Sequence, residues 1–156
     1  MGTYTSIYLG VFIKAPIKEI EITETKFVDP ETGKTKKTKF CPETGREFKS
    51  EKFTRKEKNY PSAYIQEEGY NEDEFWQPEY HGAGKGFEVF LLSNRNPKYV
   101  IDVDIDDLDC INFIGKNNNY ESIVDEFTKE YEKYINYYKK QYGEIEICYG
   151  LTIYAH

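Results

Sequence analysis

The sequence predicts an α+β fold: an antiparallel β-sheet built from hairpins, with one long C-terminal α-helix packed on one face. Three observations predict it. Segments rich in β-branched and aromatic residues recur at 3–14, 17–27, 87–92, 99–105 and 144–154, several of them alternating apolar with polar. Pro, Gly and Asn clusters separate them as turns. Between Tyr120 and Tyr142 the apolar residues fall at three-four spacing, the one clear helical period in the chain.

Thr3 to Lys14 reads as a strand that Ala15-Pro16 ends, and Ile17 to Phe27 alternates Ile20 and Ile22 with Glu19, Glu21 and Glu24 as a half-exposed second strand, so the two are expected to pair as a hairpin. A near-duplication follows, with Asp29-Pro30-Glu31-Thr32-Gly33-Lys34 answered by Cys41-Pro42-Glu43-Thr44-Gly45-Arg46. In each, Pro presets one turn dihedral and Gly supplies a left-handed exit, which makes two tight turns. Residues 59–84 carry two prolines, three glycines and an acidic block around Trp76, and read as an irregular excursion. Phe87 to Leu92 and Tyr99 to Ile105 are joined by Ser93-Asn94-Arg95-Asn96-Pro97-Lys98 as a second expected hairpin. Asn117 to Asn119 offer N-caps for the helix from Tyr120, and Gly143 offers its C-cap.

A length of 156 residues fits a single globular domain, 1–156, carrying a basic β-hairpin arm (about 28–55) and the acidic, aromatic excursion (about 59–84). Apolar residues make up only 38%, yet 15 Tyr, 10 Phe and one Trp supply the buried area of a folded core. Near Met1 no basic segment leads into an apolar run, and no stretch approaches the roughly 18 apolar residues of a membrane span. A soluble, cytoplasmic protein without a membrane partner is the expectation. Three well-separated cysteines, Cys41, Cys110 and Cys148, argue against a disulfide framework, and the two flanked by Ile are expected inside. Enrichment in Lys, Asn, Ile, Tyr and Glu resembles AT-rich coding, as in many phages and low-GC bacteria.

Charge is unevenly spread. The net charge is −7, but Lys34 to Lys58 holds ten Lys or Arg against four Glu, so the remainder sums to −13. Glu67 to Glu79 has six acids and no base, and Asp102 to Asp109 has five. If the strand runs through Ile105, then Ile101, Val103 and Ile105 point one way while Asp102, Asp104 and Asp106 line the other face, roughly 6.5–7 Å apart. Asp107 and Asp109 extend the run. Such an array needs water, a cation or a basic partner.

Other patterns carry less chemistry. Lys39-Phe40-Cys41-Pro42-Glu43-Thr44-Gly45-Arg46-Glu47-Phe48 resembles one knuckle of a zinc ribbon, but Thr44 stands where the second thiolate would be and no second Cys pair exists, so a four-ligand zinc site cannot be assembled. Glu47-Phe48-Lys49 has the Glu-x-Lys form of metal-dependent nucleases, a triplet common by chance in charged chains. Gly84-Lys85-Gly86 could nest an anion, though it leads into a strand and lacks the Ser or Thr of a P-loop. The arm Lys34-Thr35-Lys36-Lys37-Thr38-Lys39, with Phe40, Phe48 and Phe53, could grip nucleic-acid phosphate or the acidic body of a neighbouring copy. With two histidines, nucleophilic catalysis has little material.

These features point to a non-enzymatic accessory or inhibitory protein of phage type that binds a basic region of another macromolecule, such as a host nucleic-acid-binding protein, without a cofactor. Asp102, Asp104, Asp106, Asp107, Asp109, Glu72, Asp73, Glu74 and Trp76 are its expected partner-binding residues. The alternatives are a nucleotide-sequestering protein, with Gly84, Lys85 and Gly86 on phosphate below an aromatic pocket, and a metal-dependent nuclease or hydrolase.

Overall fold

The computed structural model describes residues 4–78, 83–93, 96–103 and 107–155. In chain order the strands are β1 (Thr5–Pro16), β2 (Lys18–Val28), β3 (Thr35–Lys36), β4 (Lys49–Asn59), β5 (Phe75–Trp76), β6 (Phe87–Leu92), β7 (Val100–Asp102) and β8 (Glu146–Ala155). The helices are α1 (Asp107–Lys116), α2 (Tyr120–Glu130) and α3 (Glu132–Tyr142), with a 3-10 turn at Ala83–Lys85. Two compact units result, Met1–Ile17 with Tyr60–His156, and Lys18–Asn59.

In the first unit β1 is the central strand, because Tyr8, Leu9, Val11, Ile13 and Ala15 supply both of its faces with buried side chains. Strand β8 pairs antiparallel along one edge of β1, from Thr5↔Ala155 to Lys14↔Glu146. The opposite edge is shared: β6 takes Ile13 to Pro16 and β7 takes Tyr8 to Gly10, both antiparallel. Strand β5 then extends β6 through Phe75↔Leu92 and Trp76↔Leu91. Gly10 makes the shared edge possible. A Cβ there would lie 2.0 Å from the Tyr99 carbonyl oxygen, which accepts the Val11 N–H at 2.9 Å.

The helices cover the face that carries Ile13 and Phe90, cross-strand neighbours that share a side of the sheet. Phe90 meets the rings of Tyr138 and Tyr142, and Phe75 meets Phe127, Tyr131, Tyr134 and Tyr138. The three-four period of 120–142 is therefore a core-facing stripe, with Ile123, Phe127, Tyr131, Ile135 and Tyr138 buried. Asn119 caps α2 by accepting the Glu121 N–H at 3.2 Å, and Gly143, at φ 83°, ends α3.

The expectation of a single long helix is corrected to three short ones in a protein dominated by sheet. At Tyr131 the backbone leaves helical geometry (φ −106°, ψ 23°), yet its N–H still reaches the Phe127 carbonyl and its carbonyl still accepts from Ile135. The apolar spacing survives the break, which is why the sequence does not reveal it. Helix α1 occupies a segment read as strand end and loop; Phe113 is buried beneath it and stacks on Tyr149 at 6.4 Å. Both expected hairpins are also corrected. Strand β2 pairs with β4 rather than β1, and β6 and β7 pair with β1 rather than with each other.

The second unit is a long ribbon, β2 against β4, with β3 at its edge through Phe27↔Lys36 and Val28↔Thr35. Paired opposite charges such as Glu19↔Lys58 and Glu21↔Lys56 help set the register of the ribbon. The duplicated turns form as twins. Gly33 donates to Asp29 O and Gly45 to Cys41 O, both at 2.8 Å and both with φ 70°. Arg46 ties the first turn down, with Nη2 2.9 Å from Asp29 Oδ1 and Nη1 2.6 Å from Glu31 Oε1. Among the described residues no helix is long and apolar enough to cross a membrane.

Candidate functional site

The excursion is not loose chain. Tyrosine hydroxyls of α3 hold its backbone: Tyr138 donates to Ala63 O at 2.8 Å, Tyr134 accepts from Asn71 N at 3.2 Å, and Tyr142 both accepts from Ser62 N and donates to Ser62 O. Lys133 adds a bond to Gly69 O and lies over the Tyr70 ring. Burial pushes the Tyr138 hydroxyl pKa upward, so it is a donor throughout the physiological range. Ala63, Ile65 and Phe75 are buried by this arrangement.

What the tethers position is a cleft of about 280 Å³ lined by Ala63, Tyr64, Glu72, Asp73, Phe75, Trp76 and Gln77 among others. Phe75 and Ala63 form an apolar floor, while Tyr64 is half-exposed and donates its hydroxyl to Glu72 Oε2 at 3.1 Å. Gln77 is fixed by bonds from its Nε2 to Pro61 O (3.2 Å) and to the buried Glu88 carboxylate (2.8 Å). Glu67, Glu68, Glu72 and Asp73 are exposed, and none has a Lys or Arg within ion-pair distance among the described residues. This carboxylate group belongs to a unit with nineteen Asp or Glu against nine Lys or Arg.

Of the expected partner-binding residues, Glu72, Asp73 and Trp76 line this one cleft, and Glu74 lies in the turn before β5, its side chain accepting from Asn71. Asp102, the last residue of β7, sits directly across from Tyr8 on the sheet face away from the helices, and Tyr8 meets the Trp76 indole edge-on at 5.7 Å. Asp102 is thus the cross-strand neighbour of the residue whose ring meets Trp76. Nothing in the sequence marks Tyr8, because only the strand pairing brings it there. Asp104 and Asp106 lie outside the described residues, and Asp107 and Asp109 belong to the first turn of α1 rather than to a strand. The described strand of the aspartate run therefore ends at Asp102.

No protein-family model matches this chain, and neither a curated protein nor a solved structure matches it.

The remaining candidates are scattered. Gly86, at φ 86°, borders a depression shared with Lys14, Glu144 and Glu146, where two carboxylates oppose a phosphate, and Lys85 is exposed on the 3-10 turn. Glu47 pairs with Lys39 at 3.5 Å and Phe48 is buried, so Glu-x-Lys here is a strand-pairing feature. Among the described residues no three His, Cys, Asp or Glu side chains gather around a metal position. Cys41 takes in the second turn the place of Asp29 in the first, and hydrogen bonds from the Thr44 hydroxyl and the backbone of Thr44 and Glu43 lower its thiol pKa. Cys110 and Cys148 are half-buried, and burial raises the Cys148 thiol. On the ribbon Phe40 (51%) and Phe53 (37%) are exposed.

Proposed function

We propose that this chain is a non-enzymatic binding protein whose acidic cleft engages a basic region of another macromolecule, in the manner of a phage accessory or inhibitory protein. One observation carries the reading: Glu72 and Asp73, with no Lys or Arg within ion-pair distance among the described residues, line an aromatic, partly apolar cleft that α3 holds in shape. A Lys or Arg side chain fits that chemistry. Its aliphatic stem lies along Trp76 and Tyr64 while its head meets Glu72 and Asp73, combining cation–π attraction with charge-assisted hydrogen bonds. A cluster of carboxylates also offers a nucleic-acid-binding protein a substitute for phosphate.

Trp76 is the only tryptophan, so the cleft carries its own reporter. Titration with a short Lys/Arg-rich peptide is expected to shift Trp76 emission, with affinity falling about tenfold or more between roughly 50 and 500 mM salt. The paired change Glu72→Gln and Asp73→Asn is expected to remove most of that affinity. A response that survives both high salt and neutralisation of the two acids, or no response to any basic peptide, refutes the proposal.

A further inference from the structure

We infer that the cleft also receives the basic tip of the ribbon from a second copy of this chain, an inference that rests on the cleft being a site for basic segments. The ribbon unit is the electrostatic opposite of the other unit: twelve Lys or Arg against nine Asp or Glu, compared with nine against nineteen. At the turn end, residues 33–40 hold four Lys and no Asp or Glu. Residues 33–40 are all exposed, and Lys34, Lys36 and Lys37 have no carboxylate within ion-pair distance among the described residues.

The match extends beyond charge. Phe40 stands half-exposed in the same segment, with Lys39 Nζ 5.5 Å from its ring centre, so the tip presents an aromatic ring bordered by ammonium groups. The cleft presents the complement, an apolar floor of Ala63 and Phe75 bordered by Glu72 and Asp73. The twin turns fix the shape of the tip before it docks, which limits the ordering entropy of association. Each copy carries both a tip and a cleft. Two copies can therefore exchange tips and close as a symmetric dimer, whereas unreciprocated contacts give open chains.

The experiment is sedimentation velocity on the full-length protein at low and high salt, with two charge-reversed variants. Native protein is expected to self-associate near 50 mM salt and to dissociate near 500 mM. Lys34→Glu/Lys36→Glu/Lys37→Glu and Glu72→Lys/Asp73→Lys are each expected to be monomeric alone, and to form a mixed complex when combined, since every tip then finds a cleft of opposite sign. Circular dichroism checks that both variants fold; if either does not, the native protein's salt response decides by itself. Native protein that stays monomeric at low salt, association indifferent to salt, or folded variants that fail to restore each other overturns the inference. A monomer that nonetheless binds the basic peptide through Trp76 leaves the proposed function standing, while loss of both behaviours removes the two together.

Discussion

Tyr138→Phe tests the mechanism that holds the cleft. The substitution removes one hydroxyl and leaves the ring, so the packing against Phe75 and Phe90 persists while the Ala63 carbonyl loses its 2.8 Å donor. That donor is buried, with Tyr138 fully enclosed and Ala63 only 5% exposed, so water cannot replace it without opening the excursion. Leaving a buried acceptor unsatisfied costs about 1–3 kcal/mol. For a chain of this length each kcal/mol lowers the melting temperature by about 2–4 °C, so a loss of about 2–12 °C is expected. Tyr142→Phe is the control. It removes bonds to Ser62 that are exposed and that water can remake, so its cost is expected to be well under about 1 kcal/mol. Thermal melts followed by circular dichroism and by Trp76 emission measure both. A Tyr138→Phe melt within about 1 °C of wild type, or a larger effect from Tyr142→Phe, would refute the reasoning that burial sets the strength of these tethers.

Two further outcomes follow from the fold. Gly10→Ala drives a Cβ into the Tyr99 carbonyl at 2.0 Å, and because that atom is backbone it can yield only by parting β7 from β1; a loss of about 3 kcal/mol or more is expected in denaturant unfolding, and a loss below about 1 kcal/mol would show that the sheet accommodates it. The Glu31 N–H and the Arg46 guanidinium lower the Asp29 pKa against the opposing effect of burial, so its stabilisation is complete above the unfolded value near pH 4 and declines as pH falls through the lower folded value. Amide protection at Gly33 should therefore fall in that acid window in the native chain, and an Asp29→Asn variant showing the same acid dependence would assign it elsewhere.

Local chemistry was legible wherever the chain answers to itself. The twin turns at Asp29–Lys34 and Cys41–Arg46 follow from Pro and Gly at fixed offsets, and the core stripe from Ile123 to Tyr138 follows from its period. Pairing was not legible, because alternation reports that a strand has two faces and says nothing about its neighbour. Strand β1 looks like the natural partner of β2 across Ala15 to Ile17, yet β2 is a charged strand whose Glu19 and Glu21 find Lys58 and Lys56 in β4. Strand β1 is apolar on both sides and instead pairs with β8, 150 residues away at the far end of the register, Thr5↔Ala155. Charge content thus separated the two strands into different units, a signal present in the sequence but outweighed there by proximity.

The site shows the same limit in sharper form. Glu72, Asp73 and Trp76 are close in sequence and gather in one cleft, whereas Asp102 reaches their neighbourhood only because β7 and β1 place it opposite Tyr8. The tyrosines divide the work in a way that composition conceals. Tyr134, Tyr138 and Tyr142 point their rings into the core and their hydroxyls at the backbone of residues 62–71, so the same side chains that fill the interior also fix the irregular segment over it. A phenylalanine stripe at the same spacing would pack equally well and leave that segment without its hydrogen bonds. The helical period therefore predicts the core, but the choice of tyrosine within it encodes the cleft.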